Sequence, residues 1–374
     1  MASKDKLRWV FAKPHFGFKL DEVSSELLNL ISYYPLTEDD CKKAFGLAEK
    51  MVDWDIFFSC SENQKTIQTI GYHLDNDLSD LKVPELMKEK TIDKYKSNLA
   101  FNIIRTEKIM RFIDRIAKDH EVIILKGLLF NEVIYDNPGL RSMVDFDIMV
   151  RLEDLENIEK LLKEMGLNRP REKKFAAWEN RSHHLLFEYK TTEASLLIEV
   201  HRLLFTEGII FPDYNDIWKN IIPVNFSNET MYRMDNERLC LYTILTLAMQ
   251  SFAINLRRLI DIVTIANSFP INWDIVRNLA QKWQANNFLE IAALIMKSYY
   301  PEISFKITKQ VSLPSFDKKV FNYYFDEKNY RFYKYNFTFH RHRLNAYFLT
   351  EKKVNYFKLL SKSLFNAILH GYPD

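Results

Sequence analysis

Glycine and cysteine are both scarce in this chain, and each shortage excludes a class of site. There are 8 glycines among 374 residues, and no GxGxxG or Walker-type loop occurs. This argues against a glycine-rich phosphate cradle of the dinucleotide-binding or P-loop kind. The three cysteines, Cys41, Cys60 and Cys240, lie far apart without metal-ligand spacing. They predict neither a disulfide framework nor a cysteine zinc site, and they fit a reducing compartment.

Long apolar runs and a strong charge imbalance are also missing. No stretch approaches the roughly 20 apolar residues that a membrane-spanning helix needs. The amino-terminal residues MASKDKLRWVFAKP lack the apolar centre of a secretory signal. The net charge of +2 does not argue for nucleic acid as an obligate partner. We therefore expect a cytoplasmic protein that makes no contact with a membrane.

Hydrophobic periodicity divides the chain into three regions. Helical spacing dominates before residue 118 and returns after residue 235, while strand-like alternation occupies the middle. Strands grouped between two helical regions predict an α+β fold class. The predicted limits are 1–118 for an N-terminal helical region, 119–228 for the strand-containing core, and 229–374 for a C-terminal helical domain with a basic aromatic tail.

The most informative segment, Val122–Val150, carries two aspartates. A short predicted strand ends in a Lys-Gly pair, and Asp145 and Asp147 follow within an apolar run that predicts a second strand. Most Asp-x-Asp tripeptides are solvated turns, but the apolar neighbours favour a strand, on which both carboxylates share one face. Paired carboxylates repel unless a cation lies between them. A Mg²⁺ site and phosphoryl or nucleotidyl transfer are therefore the leading hypothesis.

A third acid, Glu199, lies in a predicted strand over residues 196–201. Alternation places it on the same face as His201, which makes His201 a candidate for a secondary contact to phosphate or metal. Burying an acid is costly unless it is paired or ligates a metal. A half-exposed strand with a solvated outer face is the alternative. His183 and His184 show no HxxxH or HExxH spacing, so a zinc site is not predicted from the sequence.

Several of these residues together resemble a known family. Lys126-Gly127, Arg141-x-x-x-Asp145-x-Asp147 and Ile198-Glu199-Val200-His201 are similar to motifs of the uncharacterised nucleotidyltransferase family within the DNA polymerase beta-like superfamily. Residues 54–74 and 256–262 resemble its N-terminal and C-terminal helical signatures. The chain departs from the superfamily pattern after Gly127, where Leu128 replaces a second small residue and the gap to Asp145 is long.

The resemblance implies a fold and a chemistry. The fold would be a small mixed β-sheet nucleotidyltransferase core flanked by helical regions. Asp145, Asp147 and Glu199 would hold Mg²⁺, or Mn²⁺, and Glu199 would orient or deprotonate the acceptor. The reaction would move an NMP, with AMP from ATP favoured, to a hydroxyl or phosphate of a small molecule, peptide or protein. Pyrophosphate would be released.

Positive side chains are the candidates for contact with the nucleotide phosphates. Lys126 lies at a strand end, Gly127 precedes a helix with free amides, and Arg141 lies four residues before Asp145. By resemblance, Arg258 or its neighbour Arg257 would also reach phosphates from the C-terminal helical domain. The alternative for Lys126 and Arg141 is a solvated side chain at a strand end. The alternative for Arg257 and Arg258 is an intrahelical pair with Asp261.

Residues 328–348 combine dense aromatics with lysine and arginine. Such a mixture can bind single-stranded nucleic acid, and it is the best sequence support for an RNA or tRNA acceptor. We favour the alternative, in which the aromatics pack on the domain and the cations face water. Two further functions therefore stay open, which are an RNA-directed transferase of toxin-antitoxin type and a catalytically idle nucleotide-binding scaffold.

Overall fold

The structure is a computed structural model that describes residues 20–169, 183–190, 195–205, 210–225, 228–249, 255–297 and 299–308. Helices surround a mixed six-stranded sheet, so the predicted α+β class with flanking helices is confirmed. Strand-like runs on either side of residues 191–194 predict a hairpin connection there. These residues and the basic aromatic segment at 328–348 lie outside the described residues. Within the part that is described, no helix combines the length and apolarity needed to cross a bilayer.

The N-terminal helical region follows the apolar spacing of its sequence. Side-chain caps begin three of its helices, at Asp21, Thr37 and Asp53. Thr37 followed by three acidic residues predicts a helix start, and the structure confirms it, because the side chains of Thr37 and Asp40 form a reciprocal capping box. The helices are α1 (Glu22–Ile31), α2 (Glu38–Ala48), α3 (Trp54–Asn63), α4 (Ile67–Asp75) and the 33-residue α5 (Glu85–Ala117).

The sheet has the spatial order β3-β4-β2-β1-β6-β5. Its strands are β1 (Val122–Ile124), β2 (Phe146–Val150), β3 (His184–Lys190), β4 (Ser195–His201), β5 (Ile221–Val224) and β6 (Met231–Met234). The pairs β2–β4 and β1–β6 are parallel, and the other neighbouring pairs are antiparallel. The central strands β1 and β2 are apolar throughout apart from Asp147 and are fully buried.

Short helical segments connect the strands. The helix predicted after Gly127 forms as a turn that continues into a π-helical stretch, Phe130–Ile134. An apolar stripe in residues 154–165, followed by Gly166, predicts an amphipathic helix after β2. The structure confirms it as α6 (Leu155–Glu164), with Gly166 at φ +89° just beyond its end. Between β4 and β5 lies α7 (Tyr214–Lys219).

In the described part of the chain five helices follow the sheet, and one of them contacts both apolar cores. They are α8 (Asn236–Met249), α9 (Leu256–Ser268), α10 (Trp273–Lys282), α11 (Asn286–Met296) and α12 (Pro301–Ile307). The main core includes the sheet, the end of α5 and these helices. A second core fills the N-terminal region and also takes in Leu256 and Ile260 of α9. The predicted limits near residues 118 and 228 stay predictions.

Gly71 lies where α4 packs against α5, and substituting it tests how closely the two helices approach each other. A Cβ at this position would lie 2.3 Å from the carbonyl oxygen of Thr91 and 2.9 Å from the Cβ of Tyr95. We expect Gly71→Ala to lower the free energy of unfolding by about 1–3 kcal/mol, because the two helices must move apart. The matched control is Gly46→Ala in α2, where a Cβ meets no heavy atom within 4 Å.

The control should gain about 0.5–1 kcal/mol from its higher helix propensity. Thermal and denaturant unfolding of both variants measure the two effects. Equal changes in stability, or a stabilised Gly71→Ala, would contradict the close approach of α4 and α5.

Candidate active site

Two parallel strands place the central acids side by side. In the β2–β4 register Asp147 lies opposite Glu199, so the two side chains occupy the same face of the sheet. On the other side of β2, the N–H of Leu125 donates to the carbonyl oxygen of Asp147 at 3.0 Å. This bond holds the end of β1 against β2 and brings Lys126 next to the acids.

Asp147 is the best-neutralised carboxylate of the site. His201 Nε2 donates to its Oδ1 at 2.9 Å, and Lys126 Nζ lies 3.7 Å from the same oxygen. Burial alone would raise the pKa of Asp147, but the charge of Lys126 and the bond from His201 outweigh it and hold that pKa well below its ordinary value. Asp147 is therefore ionised at neutral pH although it is only 4% exposed.

His201 links the two acids. Its Nε2 also lies 3.4 Å from Oε2 of Glu199, and the ring is fully buried. Burial opposes its charged form, yet the hydrogen bonds to Asp147 and Glu199 raise the pKa of His201 above its ordinary value. Its Nδ1 is buried, and no described residue forms a hydrogen bond with it. The sequence predicted His201 only as a secondary contact, whereas the structure places it between the acids.

Asp145 has a different environment. The strand begins at Phe146, one residue later than predicted, so Asp145 lies just before β2 and is half-buried. Burial and the negative charges of Asp147 and Glu199 raise the pKa of Asp145. Among the described residues, the acidic and imidazole ligand atoms that gather within 4.8 Å come from Asp147, Glu199 and His201, without Asp145. The charge of Lys126 lowers the pKa of Asp145, but it offsets the repulsion from Asp147 and Glu199 only in part, because the pKa of Asp145 remains raised.

Two histidines that the sequence did not connect with the site lie beside it. The antiparallel register pairs His184 with His201, and His184 Nε2 lies 3.7 Å from Oε1 of Glu199. His183 Nε2 and His184 Nδ1 share a hydrogen bond of 3.2 Å. Burial and the neighbouring imidazoles lower the pKa of His183 to about 3, and burial also lowers the pKa of His184. Spacing along one strand could not reveal this group, because it requires the β3–β4 pairing.

The loop that leads into Asp145 is held by side chains from the surrounding helices. Seven consecutive carbonyl oxygens, from Pro138 to Val144, each accept a hydrogen bond from a side chain of α4, α5 or α9. We call this segment the clamped loop. The donors are Asn102 to Pro138 and Arg141, Asn98 to Gly139, Thr69 to Leu140, Arg257 to Ser142, and Arg105 to Met143 and Val144.

The clamped loop explains a conformational requirement at Gly127. This residue has φ +40°, and a Cβ there would lie 3.1 Å from the carbonyl oxygen of Asp145. A side chain would therefore combine backbone strain with a clash against the end of the loop. The sequence suggested Gly127 as part of a phosphate site, and the structure adds that only glycine fits this close approach.

The predicted phosphate-binding arginines have protein partners. Arg141 is buried, with Nε 3.4 Å from Oδ2 of Asp261 and its guanidinium 4.8 Å from the ring centre of Phe130. Asp261 also accepts from the hydroxyl of Tyr135 at 2.8 Å. Asn255 caps the start of α9, because its side chain accepts a hydrogen bond from the backbone N–H of Arg258. Phosphate binding by Arg141 and Arg258 stays a prediction.

Arg257, which the sequence treated as equivalent to Arg258, contacts the clamped loop. Its Nη1 donates to the carbonyl and the hydroxyl of Ser142, at 3.2 and 3.1 Å. Burial and the nearby charge of Arg141 lower its pKa to about 10, so it remains a cation at neutral pH. The helix that carries Arg257 thus connects the C-terminal helices to the segment before Asp145.

Comparison with known proteins gives one match. A family profile described as an uncharacterised nucleotidyltransferase matches residues 50–301, which is more than half of the chain. The comparisons with curated proteins and with solved structures gave no match. The matched residues include every side chain described in this subsection.

Aspartate-to-asparagine substitutions at the two positions give the first prediction for the site, because the surroundings of Asp145 and Asp147 differ. Asp147→Asn should lower the free energy of unfolding by about 3 kcal/mol at pH 7, since it removes the buried charge that both Lys126 and His201 contact. Asp145→Asn should leave stability unchanged or raise it, since it removes repulsion from Asp147 and Glu199. Denaturant unfolding of both isosteric variants compares the two.

The stability difference between the wild type and Asp147→Asn should depend on pH in a definite direction. Because the folded-state pKa of Asp147 is lowered, its contribution is fully present above the unfolded value of about 4 and is lost as pH falls further. The gap between wild type and Asp147→Asn should therefore narrow below about pH 4. A destabilised Asp145→Asn beside an unaffected Asp147→Asn would contradict this assignment of charges.

A second prediction concerns the clamped loop. Asn102 is fully buried and donates to two carbonyls, whereas half-buried Asn98, one turn earlier on α5, donates to one. Asn102→Ala should cost about 2–3 kcal/mol and Asn98→Ala about 1 kcal/mol, because unpaired buried acceptors are expensive. Hydrogen exchange of the amides at 139–145 should also accelerate more in Asn102→Ala. Equal exchange in the two variants would argue against the clamp.

Proposed function

Because the chain belongs to the uncharacterised nucleotidyltransferase family, we propose that it transfers a nucleoside monophosphate from a nucleoside triphosphate to an acceptor with the help of a divalent cation. The observation that carries the proposal is the meeting of Asp147, Glu199 and His201, whose ligand atoms lie within 4.8 Å of one another. A triphosphate and a metal ion are the usual partners of such an acidic group in this chemistry.

The donor set fits a divalent cation. Asp145, Asp147 and Glu199 supply three carboxylates next to a single lysine, and the raised pKa of Asp145 reflects its burial together with negative charge that Lys126 does not fully offset. Carboxylate oxygens suit Mg²⁺, while the imidazole of His201 also suits Mn²⁺. Asp147 and Glu199 would hold the cation, with Asp145 completing the site. When bound, the cation neutralises triphosphate charge and polarises the α-phosphoryl group.

The protein's own residues divide the remaining work. Glu199 is the only one of the three acids in contact with two imidazoles, and its side chain is 21% exposed, so an acceptor can reach it. Glu199 accepts the proton of the acceptor hydroxyl. The acceptor oxygen bonds to the α-phosphorus while the α–β bridging P–O bond breaks, and pyrophosphate leaves with the electron pair.

Lys126 and Asp147 supply fixed charge for that step. Burial opposes the charged form of Lys126, but Tyr242, Asp147 and Glu199 raise its pKa above the ordinary value, so the ammonium group stays protonated. It provides positive charge beside the phosphates. Asp147, held by His201, needs no rearrangement when the nucleotide arrives, because its geometry is already fixed by hydrogen bonds.

We propose ATP as the nucleotide and a hydroxyl or phosphate of a small molecule, peptide or protein as the acceptor. The RNA-directed alternative rests on residues 328–348, which lie outside the described residues. The idle-scaffold alternative is disfavoured by the presence of all three acids next to Lys126. The described residues do not define a binding surface for any one class of acceptor.

The proposal is tested by label transfer. The full chain is incubated with Mg²⁺ or Mn²⁺, each of the four α-labelled NTPs in turn, and a cell lysate. We expect label from ATP to appear on a polypeptide or a small metabolite, with release of pyrophosphate. A folded protein that transfers label from none of the four nucleotides with either cation would overturn the proposal.

Variants assign the role of Glu199. Glu199→Gln should lower the transfer rate by about 10²–10⁴-fold, because it removes a general base, while nucleotide affinity changes little. The control is Asp274→Asn, an exposed acid in the first turn of α10, which should leave the rate unchanged. An unaffected rate in Glu199→Gln would reduce Glu199 to a structural residue of β4.

A further inference from the structure

Three imidazoles lie together at one end of the β3–β4 pair. His183, His184 and His201 each offer a ring nitrogen within 4.8 Å of the others. Their ring centres are 4.5 Å (His183–His184), 5.3 Å (His183–His201) and 5.1 Å (His184–His201) apart. His201 is fully buried, and the other two are half-buried. The group is therefore inside the protein but can be reached from solvent.

The spacing suits a shared metal ion. A tetrahedral zinc ion with Zn–N distances of about 2.0–2.1 Å keeps its nitrogen ligands about 3.3 Å apart. His183 Nε2 and His184 Nδ1 are already 3.2 Å apart. The Nε2 atoms of His184 and His201 face Glu199, at 3.7 Å from its Oε1 and 3.4 Å from its Oε2, so their Nδ1 atoms are the ones left for a metal ion. Three imidazole nitrogens and one water molecule would complete a four-coordinate site.

His201 carries two marks of a metal ligand. Asp147 accepts from its Nε2, and a carboxylate on one ring nitrogen is the usual way in which proteins orient a histidine for metal binding through the other. The other nitrogen, Nδ1, is buried and has no hydrogen-bond partner among the described residues. A buried polar atom without a partner is costly and requires an explanation, which a bound ion would give.

We propose that His183, His184 and His201 form a site for a nitrogen-preferring divalent metal ion such as Zn²⁺. Its ligand chemistry differs from that of the three carboxylates, because imidazole favours zinc and other late transition metals, whereas Mg²⁺ requires oxygen. The site shares His201 with the proposed catalytic centre. Zinc binding itself does not depend on nucleotidyl transfer, so the proposal goes beyond that function.

The test measures metal binding without nucleotide. The full chain is freed of metal by dialysis against a chelator, and Zn²⁺ is titrated in competition with a chromophoric chelator. We expect one equivalent to bind in the wild type, and His183→Gln and His184→Gln to weaken binding by at least about 10-fold, as the loss of a ligand requires. The matched control is His120→Gln, a half-buried histidine 3.1 Å from Asp154, which should bind zinc like the wild type.

A second measurement needs no variant. Co²⁺ added to the metal-free wild type should give the intense visible absorption of a four-coordinate ion, which Zn²⁺ then displaces. Weak absorption typical of six oxygen ligands would overturn the proposal. So would stoichiometric zinc binding that folded His183→Gln and His184→Gln variants retain in full.

Asp145→Asn separates this proposal from the proposed function. Asp145 contributes no ligand to the imidazole group. The variant should therefore keep zinc affinity within a few-fold of the wild type even though it loses transfer activity. A protein that transfers no nucleotide but binds zinc through the histidines would leave this inference intact. A protein that transfers nucleotide but does not bind zinc through the histidines would contradict this inference and leave the proposed function intact.

Discussion

The buried contact of Asp147 with Lys126 and His201 is the interaction on which the site depends. A carboxylate in the middle of a fully apolar strand would destabilise the sheet if it stood alone. The strand order solves this problem, because β1 delivers a lysine from one side and β4 delivers a histidine from the other. Asp147 is thereby kept charged in the interior, and its charge in turn influences every ionisable neighbour.

The same arrangement places two kinds of ligand next to each other. His201 belongs to two groups of ligand atoms, one with the carboxylates of Asp147 and Glu199 and one with the imidazoles of His183 and His184. Metal preference in such a setting is decided by the donor atoms, since oxygen and imidazole nitrogen select different ions. Because His201 is common to both groups, the ring nitrogen that it offers decides which set of ligands is complete.

Local patterns in the sequence predicted the parts of this protein that local forces determine. The alternation in β2 and β4, the apolar stripe of α6 and the cap at Thr37 appear where the residue spacing indicated them. Asp147, Glu199 and Lys126 were predicted as neighbours, and His201 as a secondary contact, from strand periodicity and the family resemblance.

Other features depend on contacts between residues far apart in the chain. Asp261 meets Arg141 across 120 positions, and Arg257 meets Ser142 across 115. No helical or strand period encodes such pairs. The imidazole group likewise exists only because β3 folds back on β4 with His184 opposite His201. Asp145 differs from Asp147 for a similar reason, since the first residue of β2 is fixed by the clamped loop and not by its own alternation.

The clamped loop limits how far this protein can be reduced in size. Its donors are Thr69, Asn98, Asn102, Arg105 and Arg257, and all five come from outside residues 119–228. A minimal fragment cut at those limits would retain the acids and the strands that carry them. It would nevertheless leave seven adjoining peptide oxygens without protein donors, directly before Asp145. Engineering a compact version would therefore require new donors for that stretch of backbone before any improvement of the acids could matter.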